Sequence, residues 1–214
     1  MQDIVMSQKE ISTLYDGLAK IYDLWGTLAE SKARKRAIEL AHITDNQKIL
    51  EVAVGTGLAF KDIVRKNPNG ENYGIDISDG MLKKAKKKMK TVSSNYVLEN
   101  GTAFNIKYNN NYFDMLFNNY MFDLMPVSEM GKILNEFRRV LKQNGTLILI
   151  SMTEAETYSA RIYEWIYKLS PSLIGGCRGV TLSELLQKNG FRVESREYIQ
   201  QMLFPSEVIV ANKI

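Results

Sequence analysis

The stretch that most restricts the fold is Ile49-Leu50-Glu51-Val52-Ala53-Val54-Gly55-Thr56-Gly57-Leu58-Ala59-Phe60, an apolar run that enters a Gly-x-Gly turn and leaves as a helical pattern. A chain turning that sharply needs residues without a Cβ penalty, and the same bareness lets a ligand approach the main chain. The rhythm then repeats. Apolar runs at Lys48–Val54, Asn72–Asp76, Asn95–Leu98, Phe113–Asn118 and Thr146–Ser151 alternate with helix-period segments near Ala59–Lys66, Met81–Lys90 and Ser128–Lys142. Ser128 with Glu129 reads as a helix start, and Asn144-Gly145 as a helix stop. Strand and helix in alternation imply a parallel sheet covered on both faces, joined by right-handed crossovers. The final runs, Phe191–Tyr198 and Glu207–Asn212, have no helix-length insert between them, which predicts an antiparallel pair.

The expected fold class is therefore α/β: a doubly wound, Rossmann-like sheet of seven strands, mostly parallel with an antiparallel last strand. Ahead of it, Ile11, Leu14, Leu18, Ile21 and Leu24 recur at helical spacing, and Leu28, Ala33, Ala37, Leu40 and Ala41 predict a second helix. Residues 1–214 are expected to form a single domain, with 1–44 as an N-terminal helical lid, 45–214 as the core, and an insert near 152–180. No apolar run approaches the ~20 residues of a membrane span, and the opening MQDIVMSQKE lacks a signal-peptide core. The lone Cys177 cannot form an internal disulfide, so a cytoplasmic protein is expected. A net charge of +4 is modest but clustered, at Lys83, Lys84, Lys86, Lys87, Lys88 and Lys90, and at Lys32, Arg34, Lys35 and Arg36. Such runs read as solvated helix faces or as a peripheral patch for an anionic membrane. No nucleic-acid signature accompanies them, so no nucleic-acid partner is expected.

Asp76 ends the second strand, 19 residues after Gly57. A carboxylate there can accept hydrogen bonds from both hydroxyls of an adenosine ribose. The dinucleotide fingerprint wants a small residue where this chain has Phe60. Glu51, inside the first strand, would repel a pyrophosphate but welcome the ammonium of an aminoacyl group. Charge thus favours S-adenosylmethionine over a nicotinamide dinucleotide. An NAD-dependent oxidoreductase and a non-catalytic S-adenosylmethionine-binding module are the alternatives.

At these residues the chain resembles the class I S-adenosylmethionine-dependent methyltransferases, in the branch with quinone-biosynthesis C-methyltransferases and bacterial phosphatidylethanolamine N-methyltransferases. Tyr15-Asp16-Gly17-Leu18-Ala19-Lys20-Ile21-Tyr22-Asp23 is similar to their opening lid. Glu51-x-Ala53-x-Gly55-x-Gly57 is similar to their first motif, and Tyr73-Gly74-Ile75-Asp76-Ile77-Ser78-Asp79-Gly80-Met81-Leu82 to the segment after it. Phe113–Tyr120, then Phe122-Asp123-Leu124-Met125-Pro126, resembles their fourth strand and its exit, and Leu141–Leu147 the entry to strand five. Two departures stand out. Ala53 replaces the motif's first glycine, and Gly101-Thr102-Ala103 lacks the usual acid after strand three.

The resemblance implies that Gly55, Thr56 and Gly57 wrap the methionine part of S-adenosyl-L-methionine, beside Ala53 and Glu51, with Tyr22 reaching in from the lid. It implies that Asp76 takes the ribose, that Ile77 and Met81 flank the adenine, that Thr102 and Ala103 face its edge, and that Asn118 offers a carbonyl to the ammonium. Tyr15, Tyr120, Phe122, Asp123 and Arg178 are the candidate contacts for the acceptor, a small molecule or lipid methylated at an amine, phenol or ring carbon. The stripe Tyr158, Ile162, Trp165, Ile166 and Leu169 reads as core or pocket wall. The only histidine, His42, falls in the second N-terminal helix next to Ala41 and Ile43 and reads as a packing or surface residue, so no histidine base is evident. No metal-ligand cluster is read from the chain.

Overall fold

The structure is a computed structural model that describes residues 31–157, 179–201 and 204–214. In chain order the elements are α1 (Ser31–Leu40), β1 (Lys48–Val52), α2 (Leu58–Lys66), β2 (Glu71–Asp76), α3 (Asp79–Met89), β3 (Tyr96–Asn100), β4 (Phe113–Asn119), a 3-10 turn (Phe122–Leu124), α4 (Val127–Val140), β5 (Leu141–Met152), α5 (Ser183–Lys188), β6 (Phe191–Gln201) and β7 (Phe204–Lys213).

Seven strands form one sheet in the order β3-β2-β1-β4-β5-β7-β6. The pairs among β3, β2, β1, β4 and β5 are parallel. β7 runs antiparallel to both β5 and β6, as the missing crossover requires. The chain builds outward from β1 to β3, then returns to place β4 on the other side of β1. That reversal opens a crevice at the carboxyl ends of β1 and β4, the place where open α/β sheets bind ligands.

Strand alternation sorts the faces. Leu50 and Val52 of β1 point into a cluster with Phe137 and Leu134 of α4. Ile49 points the other way, into a cluster with Ala33 and Ala37 of α1 and with Phe117 and Ile150. The small alanines let α1 lie close to the sheet, so the described part of the expected lid is a packed layer of the fold. Residues 1–30, with Tyr15 and Tyr22, lie outside the described residues, as do 158–178, with Arg178 and the aromatic stripe.

Two boundaries differ from the sequence reading. α4 starts at Val127, not at Ser128: Pro126, extended at φ −60° and ψ 140°, is its N-cap, and its carbonyl accepts the first hydrogen bond of the turn from the Glu129 amide at 3.0 Å. It also ends early, at Val140, and Leu141 begins β5 directly. Asn144-Gly145 therefore marks an irregularity within β5, where the register against β4 shifts between Phe113 and Met115 and Asn144 takes a φ of 60°. The six-residue α5 is too short to announce itself by periodicity.

Candidate functional site

The crevice holds a cleft of about 810 Å³. Its walls include Ala53, Gly55, Asp76, Ile77, Met81, Thr102, Ala103 and Tyr120 from the sequence reading, together with Ser78, Phe104, Asn119, Met121, Leu124 and Met125. On the far side of Gly55 lies a recess of about 480 Å³ lined by Glu51, Thr56, Ala53, Gly55, Asn119, Tyr120 and Arg34, among others. Gly55, Ala53, Asn119 and Tyr120 line both.

The turn between β1 and α2 is held by Asp76. Its Oδ2 accepts a hydrogen bond from the Gly55 amide at 2.7 Å, and its Oδ1 accepts one from Ser78 at 2.9 Å. Ser78 in turn caps α3 by accepting from the Met81 amide at 3.1 Å. One carboxylate thus locks the loop after β1 to the loop after β2.

The two glycines of the turn have different duties. Gly55 has a φ of 56°, and a Cβ placed on it would meet nothing within 4 Å, so the space above it is open to a ligand. Gly57 has a φ of 80°, but a Cβ there would come to 3.0 Å from Cβ of Ala85 on α3. Gly57 lines neither cavity and serves the close approach of α2 to α3. Phe60 is fully buried and points at Gly74 of β2, whose own added Cβ would come to 3.1 Å from the ring. The glycine that permits helix–strand packing is here on the strand.

Glu51 is buried, and its Oε1 accepts a hydrogen bond from Asn119 Nδ2 at 2.7 Å. Its Oε2 is buried without a partner among the described residues. Desolvation pushes the Glu51 carboxyl well above the ordinary carboxylate range; the Asn119 hydrogen bond opposes this, and the negative charge of Asp76 adds to it. An orphaned, charge-capable oxygen in a recess could accept a hydrogen bond from a ligand's cationic group. Facing it is Arg34 of α1, whose Nε lies 3.3 Å from Asp62 Oδ2.

Several expected residues fall elsewhere. Asn118 lines neither cavity: its Nδ2 donates to the Val52 carbonyl at 2.9 Å, on the sheet face opposite Glu51. Its neighbour Asn119 takes the face of Glu51, because one residue along a strand flips the side chain. Phe122 is core, with its ring 6.0 Å from that of Phe137 in edge-to-face contact, and Asp123 is buried outside both cavities. Tyr120 does reach both, with its hydroxyl 2.9 Å from Ser206 Oγ. The wall residues Met121, Leu124 and Met125 were legible as an i, i+3, i+4 apolar set just past β4. Arg34 carried no such signal, since it lies far from the motifs in sequence.

Thr102 Oγ1 accepts from the Phe104 amide at 3.3 Å. The lysines of α3 are mainly a solvated face, with Lys83, Lys86 and Lys87 exposed, as is Lys90 at its C-cap, while Lys88 Nζ donates to Thr56 Oγ1 at 3.3 Å. His42 is exposed. No helix among the described residues is long and apolar enough to cross a membrane.

A doubly wound sheet with a glycine turn and an acid at the next strand end defines a nucleotide-type cofactor site, and the partnerless oxygen of Glu51 with the open face of Gly55 suits a cationic aminoacyl nucleoside. Residues 43–190 match the family described as Methyltransferase domain. A demethylmenaquinone methyltransferase of Thermotoga maritima is 30% identical over 177 residues, covering 79% of this chain and 74% of that protein. The solved structure of the [4+2]-cyclase SpnF superposes with a TM-score of 0.77 at 15% identity, covering 98% of this chain and 97% of the other. A SAM-dependent methyltransferase of Methanosarcina mazei superposes with a TM-score of 0.68 at 16% identity, covering 83% and 97%. The chain belongs to the methyltransferase family, in the class that uses S-adenosylmethionine as methyl donor. The nicotinamide alternative is thereby set aside.

Proposed function

We propose that this enzyme moves the methyl group to a ring carbon of a neutral, quinol-like acceptor. The carrying observation is the chemistry of the larger cleft. Met121, Leu124, Met125, Phe104 and Tyr120 give it an apolar wall, and Asp76 is the one ionisable acid or base among its described lining residues apart from that tyrosine. Asp76 is already occupied by two backbone amides. Such a wall favours a flat apolar ring over an ammonium, which would need a counter-charge. The Thermotoga relative, named for demethylmenaquinone, supports the same acceptor class.

The donor, when bound, supplies a methyl group on a sulfonium leaving group, so the protein's work is alignment. Asp76 would accept from the ribose hydroxyls, while Ile77 and Met81 would flank the base and Thr102 and Ala103 would lie along its edge. Glu51 and Thr56 would hold the aminoacyl end below Gly55. Met121 and Leu124 would keep the acceptor ring in line with the methyl and exclude water. Holding two reactants in line can contribute up to ~7–11 kcal/mol to lowering a barrier.

The test is turnover with a methyl-labelled donor, offered a reduced demethylated naphthoquinone, a simple phenol, and phosphatidylethanolamine in vesicles. Label on the quinol ring carbon is expected. Label on the ethanolamine nitrogen, or on no acceptor, would defeat the proposal. A lipid-like acceptor also gives the exposed lysines of α3 a use at an anionic surface. Co-sedimentation with anionic vesicles in low salt, and release in high salt, is the expected behaviour; indifference to both conditions would remove that contact.

A further inference from the structure

Taking the donor site above as given, and whatever the acceptor, we infer that Ser206 of β7 is a positioning residue for methyl transfer. It fixes the ring of Tyr120 as the partition between the recess and the larger cleft.

Tyr120 follows β4 in a conformation that a bulky residue rarely takes, with a φ of 51°. Strand alternation would send its side chain to the face of Asn118. The left-handed turn instead returns it to the face covered by α1, where it packs with Phe117, Ile150 and Val208. Two contacts hold it there. The Tyr120 amide donates to the Ile150 carbonyl at 2.7 Å, and the hydroxyl makes a buried hydrogen bond with Ser206 Oγ at 2.9 Å. Ser206 is itself fixed: it is buried, and it pairs with Met152 of β5 on one side and Ile199 of β6 on the other. Backbone strain of this kind persists where the surroundings over-determine it, and it collects at functional sites.

Among the described residues, Ala53, Gly55, Asn119 and Tyr120 border both cavities. A donor seated across Gly55 would place its sulfur in this shared zone, because the adenosyl and aminoacyl arms leave the sulfur in different directions. Tyr120 is the one ring among the four. Its hydroxyl is engaged with β7, which leaves the ring to meet the ligands. An acceptor approaching the methyl would lie against that ring, and in-line transfer tolerates little error. A misplacement of about 1 Å can cost roughly a hundredfold in rate. Ser206 therefore acts on the transfer step through Tyr120, and hardly on the binding of the donor.

Tyr120→Phe, Ser206→Ala, Ser206→Thr and the double variant Tyr120→Phe/Ser206→Ala are compared with the native protein in two measurements. One is calorimetric titration with S-adenosylmethionine. The other is the rate of methyl-label transfer to whichever of the quinol, the phenol and phosphatidylethanolamine the native protein labels. Tyr120→Phe and Ser206→Ala should each lower kcat about tenfold, with acceptor KM changed less and donor affinity kept within about threefold. The double variant should fall no further than either single one, since each removes the same hydrogen bond. Ser206→Thr keeps a hydroxyl and should recover most of the rate. Retained donor binding shows that the variants are folded. Native kcat in both single variants, losses that add in the double variant, or equal losses of kcat and donor affinity would reduce the pair to packing and overturn the role of Ser206. Label on an acceptor other than the quinol would defeat the quinol reading while the comparison of variants still decides the pair. Donor binding without transfer to any of the three would overturn both.

Discussion

Ala53 stands where relatives of this class commonly carry a glycine, and its φ of 60° shows why. The cost of the alanine is conformational, not spatial. A left-handed L-residue costs roughly 1–2 kcal/mol, of which glycine would lose part, about 0.4–1 kcal/mol, to its freer unfolded chain. Ala53→Gly should therefore stabilise the protein by about 1 kcal/mol, read as a higher urea midpoint at unchanged slope. Glu51 carries the opposite kind of burden. Its folded carboxyl holds its proton to higher pH than the unfolded chain does, so its contribution to stability is present at low pH and lost as pH rises. Glu51→Gln keeps the shape without the charge, so its melting temperature should exceed that of the native protein by a margin that widens with pH. The same variant should bind S-adenosylmethionine about tenfold to a hundredfold more weakly. In the native protein, donor affinity should decline as pH falls, beginning above the ordinary carboxylate range, because the ammonium must then displace a proton. A pH-independent affinity would contradict the seat given to Glu51.

Between elements, the turn from β1 to α2 separates binding from packing two residues apart. Gly55→Ala adds a methyl to open space and should cost stability only about 1–2 kcal/mol for its positive φ, while weakening donor binding sharply. Gly57→Ala drives a Cβ against Ala85 and should cost about 2–4 kcal/mol, with less direct effect on affinity once the variant is folded. Thermal melts and donor titrations on the two variants check the contrast; equal losses in both would dissolve it. The Asn118–Asn119 pair gives the same lesson at the end of β4. Both amides are polar and adjacent, but the pleat sends one beneath the sheet and the other to Glu51.

Across the whole molecule, stability rests on the faces of one sheet. Phe137 is fully buried in the cluster that joins α4 to β1, β4 and β5. Phe137→Ala should cost about 3–5 kcal/mol, a large share of the 5–15 kcal/mol typical of a folded protein. Urea denaturation would show it. The surface ion pairs should matter far less. Arg36–Glu197, which ties α1 to β6, has both partners at least a third exposed. High salt is accordingly expected to leave the melting temperature nearly unchanged.

The alternation of runs, the bare turn at Gly55 and the acid at Asp76 were all readable along the chain, because each depends on neighbours in sequence: period-two and helical patterning, backbone freedom, and a carboxylate at a strand end. From these alone came the α/β sheet, its antiparallel ending and the kind of cofactor. What linear order could not supply was which face each side chain takes and what meets it there. Arg34 joins Glu51 only because Ala33 and Ala37 allow α1 to lie on that face of β1. Phe122 looked like a pocket residue and proved to be core, since the 3-10 turn rotates it toward Phe137. Those outcomes belong to tertiary packing, where contacts between remote elements decide the surroundings of residues whose local patterns are alike.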